Sequence, residues 1–398
     1  MSSLQTSTPL GGLGVQQAAE RLRNYLRIER ASVKICAGWW LAVRPYERKY
    51  RLSYHLYDHS GHVTALRARL EEMRGGRPDA SVRPGLRLLL DEALNAPDET
   101  SFLRGFYGVI KRAALASLRA DLQILDRSAN ANEVRLLERI TAGLESHVAW
   151  LDSSIPDTGP NPWADYLGSL LSSIGGIHGD DPPGAPLPRP HAGIFSRPRT
   201  ILFDERIRSA PLMSYEDRSQ LPPREATIEQ FKVFFNEMYA AALLASILFD
   251  AAEDNLPWDF YRDFSRHFWD ESRHSEFGAI RLRELGSEPD RCDPVLFEQS
   301  EALPVLHRIA YLTRGLEAYF MPRKPKRFKE YEQQGDFRSQ LFADQDWSDE
   351  INHVRYGSEW IDYLLKEDSR EIEDVIEEVK QHLAKVTGRA VTGIEAPF

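Results

Sequence analysis

The sequence predicts an all-α protein made of two tandem four-helix bundles, joined by an arm rich in proline and glycine, with the N-terminal bundle degenerate. Strand-like alternation of apolar and polar residues is almost absent, whereas apolar residues recur at helical spacing in both halves of the chain. Nine prolines fall between Pro156 and Pro198 and separate the two helical regions. Residues shared in register between the two regions indicate a tandem repeat.

Each half contains four stretches with helical periodicity. Pro45 and Pro257 stand at helix starts, where a missing N–H costs nothing, and Gly286 ends its helix. The predicted helices cover 15–43, 46–74, 101–126 and 131–151 in the first half, and 226–253, 257–286, 301–320 and 336–366 in the second.

A chain of 398 residues is too long for one ordinary core, so two domains are expected. A short apolar segment, Ile201-Leu202-Phe203, is expected to dock onto a bundle face. The predicted layout is a disordered tail at 1–14, a degenerate bundle at 15–151, an arm at 152–225, a dinuclear metal bundle at 226–366, and a C-terminal helix and tail at 367–398.

The composition fits a cytoplasmic protein. The formal net charge of −10 argues against broad binding to nucleic acid or to an anionic membrane. Cys36 and Cys292 are the only cysteines, so neither a disulfide framework nor a thiolate metal site is expected. The N-terminus lacks the features of a signal peptide, and the apolar stretch 231–249 is interrupted by polar residues.

Two segments, Asp270–His274 and Asp349–His353, share the pattern Asp-Glu-x-x-His. On a helix, Glu and His three residues apart project from one face, so each pair can bind one metal ion. Bundles that bind two metal ions combine two such pairs with a lone Glu from each of two other helices. The predicted ligands in the two motifs are Glu271, His274, Glu350 and His353.

The second half also supplies two lone carboxylates. Glu237 lies on an otherwise apolar helix face, where an unpaired carboxylate would be costly to bury without a cation. Glu317 lies inside a helix and is preferred to Glu301, whose place near a helix start has a structural explanation. Glu237 and Glu317 therefore complete the predicted set of six ligands.

The aspartate that precedes each pair has a supporting role in this prediction. A metal-bound histidine usually donates its other ring N–H to a carboxylate. We expect Asp270 and Asp349 each to accept from the histidine of the opposite motif, and Arg273 to neutralise one of them.

The first half repeats this pattern imperfectly. When Pro45 is aligned with Pro257, Asp58 falls on Asp270 and His62 on His274, but His59 replaces Glu271. Likewise, Leu144 replaces Glu350 and His147 keeps the position of His353. The predicted degenerate site consists of Glu29, His59, His62 and His147. These residues could still hold a metal ion, but the favoured interpretation is that they are hydrogen-bonded core residues.

Residues 323–329 form a basic run in an acidic protein. The default interpretation is a solvated loop. If the run is functional, it could steer an anionic substrate or an acidic carrier protein.

With these residues identified, the second half resembles the ferritin-like superfamily of carboxylate-bridged di-iron proteins. Asp270–His274 is similar to a D-E-x-R-H motif of oxygen-activating members. Asp349–Val354, with Gly357 and Trp360, resembles the final helix of the DUF455 group. The resemblance implies iron binding and reaction with dioxygen, but it names no substrate.

The expected function is that of a non-haem di-iron oxygenase or oxidase acting on a small organic substrate. Four carboxylates and two imidazoles suit two iron ions, with manganese or a mixed Mn/Fe pair as the alternative. The chemistry belongs to the metal centre, so no catalytic side chain is assigned. The expected partners are the substrate, O₂ and an electron donor or acidic carrier protein, with no nucleic acid and no membrane. A homodimer is one open oligomeric state. The alternative functions are a ferroxidase, peroxide-scavenging or metal-storage protein, and a noncatalytic metal-binding scaffold.

Overall fold

The computed structural model describes residues 12–74, 76–80, 83–155, 159–254, 256–366 and 370–387. Helices dominate these residues, and the regular strands among them are one parallel pair of two residues each, β1 (Arg208–Ser209) and β2 (Arg291–Cys292). The all-α prediction is therefore confirmed. The chain divides into two compact units, the first comprising Met1–Ile35 and Asp58–Ser196 and the second Cys36–Tyr57 and Arg197–Phe398.

Long helices with one buried face form most of the first unit. Its elements are the first part of α1 (Val15–Ala42), the second part of α2 (Tyr46–Glu72), α3 (Pro84–Leu94), α4 (Glu99–Phe102), a π-helix (Leu103–Lys111), α5 (Arg112–Ile124), α6 (Ala131–Ser154) and α7 (Pro162–Ser173). Helix α7 lies in the segment predicted as an arm. Asn161 caps α7 by accepting a hydrogen bond from the backbone N–H of Ala164.

The second unit contains the remaining parts of α1 and α2 and the C-terminal helices. These are α8 (Tyr215–Arg218), α9 (Pro223–Asn236), α10 (Met238–Asp250), a 3₁₀ turn (Ala251–Glu253), α11 (Trp258–Glu284), α12 (Val295–Ser300), α13 (Val305–Ile309), a π-helix (Ala310–Glu317), α14 (Ala318–Phe320), a 3₁₀ turn (Met321–Arg323), α15 (Lys324–Gln334), α16 (Phe337–Leu364) and α17 (Ile372–Thr387).

Three predicted helices are divided in the structure. The stretch predicted at 226–253 breaks at Glu237, where the backbone N–H bonds to the carbonyl of Phe234 instead of continuing the α-helical pattern. The stretches predicted at 101–126 and 301–320 each contain a π-helix. No proline or glycine marks the break at Glu237, so the helical pattern alone did not predict it.

The core of the second unit is formed by α9, α10, α11 and α16. Gly278 allows α9 and α11 to approach closely, because a Cβ atom there would overlap the backbone of Phe235. Among the described residues, the segment Pro223–Glu253 is apolar and long enough to cross a membrane, but 72% of its most apolar stretch is buried inside the protein. This burial is typical of a core helix of a soluble protein.

Part of the predicted arm packs within the second unit. Ile201 is buried, and the N–H of Leu202 donates to the carbonyl of Leu41. Arg197 pairs with Asp250 and Glu301. Residues 1–11 of the predicted tail and the last residues of the C-terminal tail lie outside the described parts of the chain.

Candidate metal centre

The structure brings together the six predicted ligands of the second unit. Glu237 lies at the junction of α9 and α10, Glu271 and His274 lie on α11, Glu317 ends a π-helix, and Glu350 and His353 lie on α16. All are buried except Glu237, whose side chain is 13% exposed.

These side chains form three overlapping groups, in each of which the ligand atoms lie within 4.8 Å of one another. The first group consists of His267, Glu271, Glu317 and His353. The second consists of Glu237, His274 and Asp346, and the third of Glu271, His274 and Glu350. Glu271 belongs to two groups, and His274 does too, so the groups form one continuous cluster that can hold more than one ion.

Many ligand atoms of this cluster are buried without a hydrogen bond. Within the described part of the chain, these atoms are Oε2 of Glu237, Oε1 of Glu271, Oε2 of Glu317, Oδ2 of Asp346, Oε2 of Glu350 and the Nδ1 atoms of His267, His274 and His353. Buried polar atoms normally have partners, because desolvating them otherwise costs free energy. These oxygen and imidazole nitrogen atoms face one another without hydrogen bonds, Nδ1 of His353 lying 3.1 Å from Oε1 of Glu271. Such a set fits the donor set that divalent metal ions take.

The two motif histidines are oriented by crossed hydrogen bonds. Nε2 of His274 lies 3.2 Å from Oδ2 of Asp349, and Nε2 of His353 lies 3.4 Å from Oδ2 of Asp270. Since an ionised carboxylate only accepts, each Nε2 carries the proton and each Nδ1 is left to face the cluster. The structure thus contains the crossed pairing predicted for Asp270 and Asp349, and Arg273 contacts both aspartates.

The charges around the cluster explain the pKa shifts of these groups. Burial opposes protonation of His274, but the hydrogen bond to Asp349 and the nearby Asp346 and Glu271 raise its pKa to about 9. Burial raises the pKa of Glu350 to about 7, although Lys324 opposes this shift. A metal ion would replace protons here, because its ligands bind in the deprotonated form.

Two members of the cluster, the imidazole of His267 and the carboxylate of Asp346, were not predicted from the sequence. His267 Nε2 lies 2.7 Å from Oε1 of Glu317, and its ring stacks on that of His353 at 3.7 Å. Each residue precedes a predicted ligand by four positions, His267 before Glu271 and Asp346 before Glu350. A spacing of four residues places each of them on the same helix face as that ligand, so the sequence contained a signal for both residues.

A buried lysine also belongs to the site. Nζ of Lys324 donates to Oδ1 of Asp346 at 2.7 Å and to Oε1 of Glu350 at 2.9 Å. For Lys324, the expectation of a solvated loop is therefore wrong, since α15 begins at this residue and buries it. Lys324 offsets one of the five carboxylates of the cluster, and the remaining four match the charge of two divalent ions.

Glu301, the alternative to Glu317 as a ligand, forms an ion pair away from the cluster. Its Oε2 atom lies 2.6 Å from Nη1 of Arg197. It is not among the grouped ligand residues of the described chain, whereas Glu317 is.

The first unit also clusters its predicted residues. Nδ1 of His59 and Nδ1 of His62 lie 2.6 and 2.9 Å from the same oxygen of Glu29, and these three side chains lie close enough to hold an ion. Nε2 of His147 lies 3.1 Å from Oδ2 of Asp58. This contact repeats the one between His353 and Asp270 in the second unit, although the tandem arrangement itself stays a prediction.

Lys111 distinguishes the first cluster from the second. It ends a π-helix, as Glu317 does, and precedes His147 by the same 36 residues that separate Glu317 from His353. The buried Nζ of Lys111 lies 3.3 Å from Nδ1 of His147. A cationic side chain therefore stands where the second unit has a carboxylate, and it contacts the nitrogen that a metal ion would need.

Comparison with known proteins supports part of the resemblance. Residues 216–393 match the family model described as protein of unknown function, DUF455. This segment is similar to DUF455. It contains all the clustered residues of the second unit, from Glu237 to His353. Searches of curated proteins and of solved structures found no match. Membership of the ferritin-like superfamily stays a prediction.

Proposed function

We propose that the DUF455 segment holds two metal ions, most suitably iron, and acts as a non-haem di-iron oxygenase or oxidase on a small organic substrate. The observation that carries this proposal is the set of buried, unpartnered carboxylate and imidazole atoms in one cluster. Their charge, after Lys324 is counted, matches two divalent ions. Manganese or a mixed Mn/Fe pair would suit the same donors.

The residues that would hold the ions are the six predicted ligands together with His267 and Asp346. Iron held by these residues would supply the oxidising power for chemistry with dioxygen. Asp270 and Asp349 would orient His353 and His274 through their crossed hydrogen bonds. Burial of these side chains would keep bulk water away from the site.

A cavity beside the ligands favours an organic substrate over simple iron storage or peroxide removal. Glu237, Glu271, Glu317 and Glu350 form part of its lining, together with side chains that are not ligands. A ferroxidase or peroxide-scavenging protein would use the same ligands but would need no such space. We further propose that the protein is cytoplasmic and that an electron-donor protein serves as a partner.

Metal analysis and oxygen uptake test this proposal. Protein loaded anaerobically with Fe²⁺ is expected to bind about two ions per chain and to consume O₂ faster when a suitable substrate is added. Glu350→Ala should lose both properties, and His147→Ala in the first unit should keep both. Full metal content in Glu350→Ala would contradict the proposed site. Rapid peroxide loss without substrate-dependent uptake would favour the scavenging function.

A further inference from the structure

The cavity beside the metal ligands has a basic side as well as an acidic one. Its volume is about 150 Å³. The acidic side consists of the four glutamates of the cluster. Arg218, Arg323, Lys324 and Arg327 supply positive charge, and Tyr215, Val233, Tyr239, Ala240 and Phe320 supply uncharged surface.

Two of these arginines lack an acidic partner within the part of the chain that the structure describes. Among the described residues, neither Arg218 nor Arg323 forms an ion pair with a carboxylate. Arg218 donates to the carbonyl of Met213, and Arg323 lies over the rings of Tyr215, Tyr319 and Phe320 at 4.9 to 5.5 Å. Arg327 is 4.0 Å from Asp346 and lies over the ring of Phe234. Lys324, in contrast, is fully engaged by Asp346 and Glu350.

Three different parts of the second unit bring these charges together. Arg218 ends α8, Arg323 ends a 3₁₀ turn, and Arg327 lies in the first turn of α15. Arg218 is half-buried, and burial together with the nearby Arg327 lowers its pKa. Convergent guanidinium groups that repel one another are stabilised by an anion, which the planar guanidinium can bind with two hydrogen bonds.

We propose that this cavity binds a small organic anion, with a carboxylate or phosphate head at Arg218 and Arg323 and an uncharged body directed toward the metal ligands. The acidic ligands repel the head, so the charges on the two sides of the cavity favour one orientation. Part of the basic run 323–329, for which steering of an anionic substrate is the alternative interpretation, thus lines the cavity. This inference rests on the proposed di-iron function, because it specifies the class of substrate.

The volume limits the size of the body. A cavity of about 150 Å³ holds a molecule of the size of benzene. Benzoate is therefore a suitable carboxylate probe, benzamide its neutral analogue, and inorganic phosphate the probe for a phosphate head.

Calorimetric titration of the iron-loaded, anaerobic, full-length protein tests the proposal. At least one of the two anions, benzoate or phosphate, should bind saturably. If benzoate binds, benzamide should bind at least about tenfold more weakly than benzoate. Arg218→Gln and Arg323→Gln should each lower the affinity for that anion by about tenfold or more. Arg355→Gln is the matched control, because Arg355 is exposed on α16 and pairs with Glu359 outside the cavity.

Equal affinity for benzoate and benzamide, or anion binding that is insensitive to both arginine substitutions, would overturn the anion site. Anion binding that is insensitive to both substitutions would indicate that the anion binds directly to iron alone. Metal analysis of the same samples separates the two proposals. Protein that takes up iron but neither benzoate nor phosphate overturns the anion site alone. Protein that binds an anion through these arginines but no iron supports the anion site and overturns the di-iron proposal.

Discussion

Nζ of Lys324 lies 2.9 Å from Oε1 of Glu350, inside the cluster of proposed metal ligands. The same ammonium group donates to Asp346 at 2.7 Å. A fixed positive charge thus contacts two carboxylates and offsets the charge of one of them. It reduces repulsion among the acidic side chains, and it reduces their attraction for added cations.

Replacement of Lys324 by Met should therefore separate folding from metal affinity. We expect the metal-free variant to be less stable than the wild type by about 3–5 kcal/mol, because buried carboxylates lose their partner. Metal addition should stabilise the variant more than it stabilises the wild type. Thermal unfolding with and without Mn²⁺ measures both effects, and Lys326→Met, at an exposed position of the same basic run, is the control. Unchanged stability of the metal-free variant would contradict this role.

The crossed hydrogen bonds predict a second effect. Asp270→Asn should lower the affinity for metal by about 10–100-fold, because a neutral amide orients His353 less firmly than a charged carboxylate does. Competition with a chelator of known affinity measures the change. The control is Asp58→Asn, which alters the corresponding contact with His147 in the first unit. Equal losses in both variants would show that the effect is not specific to the metal-binding unit.

Metal should be confined to the second unit. We expect Glu29→Ala, like His147→Ala, to leave the metal content unchanged, because Lys111 supplies the local positive charge in the first cluster. Elemental analysis of purified variants provides the test. If the wild type contained no metal and Leu144→Glu were needed to introduce any, the assignment of the two units would be wrong.

Gly357 positions the π-helix that carries Glu317. A Cβ atom at Gly357 would overlap the side chain of Thr313. We expect Gly357→Ala to destabilise the protein by about 1–3 kcal/mol, as overpacking does, and to reduce metal content through displacement of Glu317. Urea unfolding and metal analysis measure these effects. Gly168→Ala is the control, because a Cβ atom there meets nothing within 4 Å. A fully metal-loaded Gly357→Ala protein would argue against this coupling.

The first cluster predicts a dependence of stability on pH. Burial and the nearby Lys111 lower the pKa of His59 to about 4, from an ordinary value of 6.5. Between these values the unfolded chain binds a proton that the folded chain does not, so stability falls as the pH falls from 6.5 toward 4. The slope from this group is at most about 1.4 kcal/mol per pH unit.

Urea unfolding of the wild type and His59→Gln between pH 4.5 and 7 isolates this contribution. The difference in the free energy of unfolding between the two proteins should change with pH. Parallel curves for the wild type and His59→Gln would refute the assignment to His59.

Local patterns in the chain determined most of the long helices and most of the candidate site. The Asp-Glu-x-x-His spacing places Glu271, His274, Glu350 and His353 on helix faces, because helical geometry repeats every 3.6 residues. The same periodicity indicated α11 and α16 within a few residues of their observed bounds. Asp270 and Asp349 could also be assigned, since a ligand histidine needs an acceptor for its second nitrogen.

Only the tertiary structure decided which distant residues meet at the cluster. It brought Lys324 from the basic run to Glu350 and placed Arg218 of the predicted arm beside the cavity. Contacts of this kind depend on how helices distant in sequence pack against one another, and helical periodicity carries no information about that packing. The sequence alone thus determined most of the long helices and the ligand motifs, whereas packing determined the charge balance and the shape of the site.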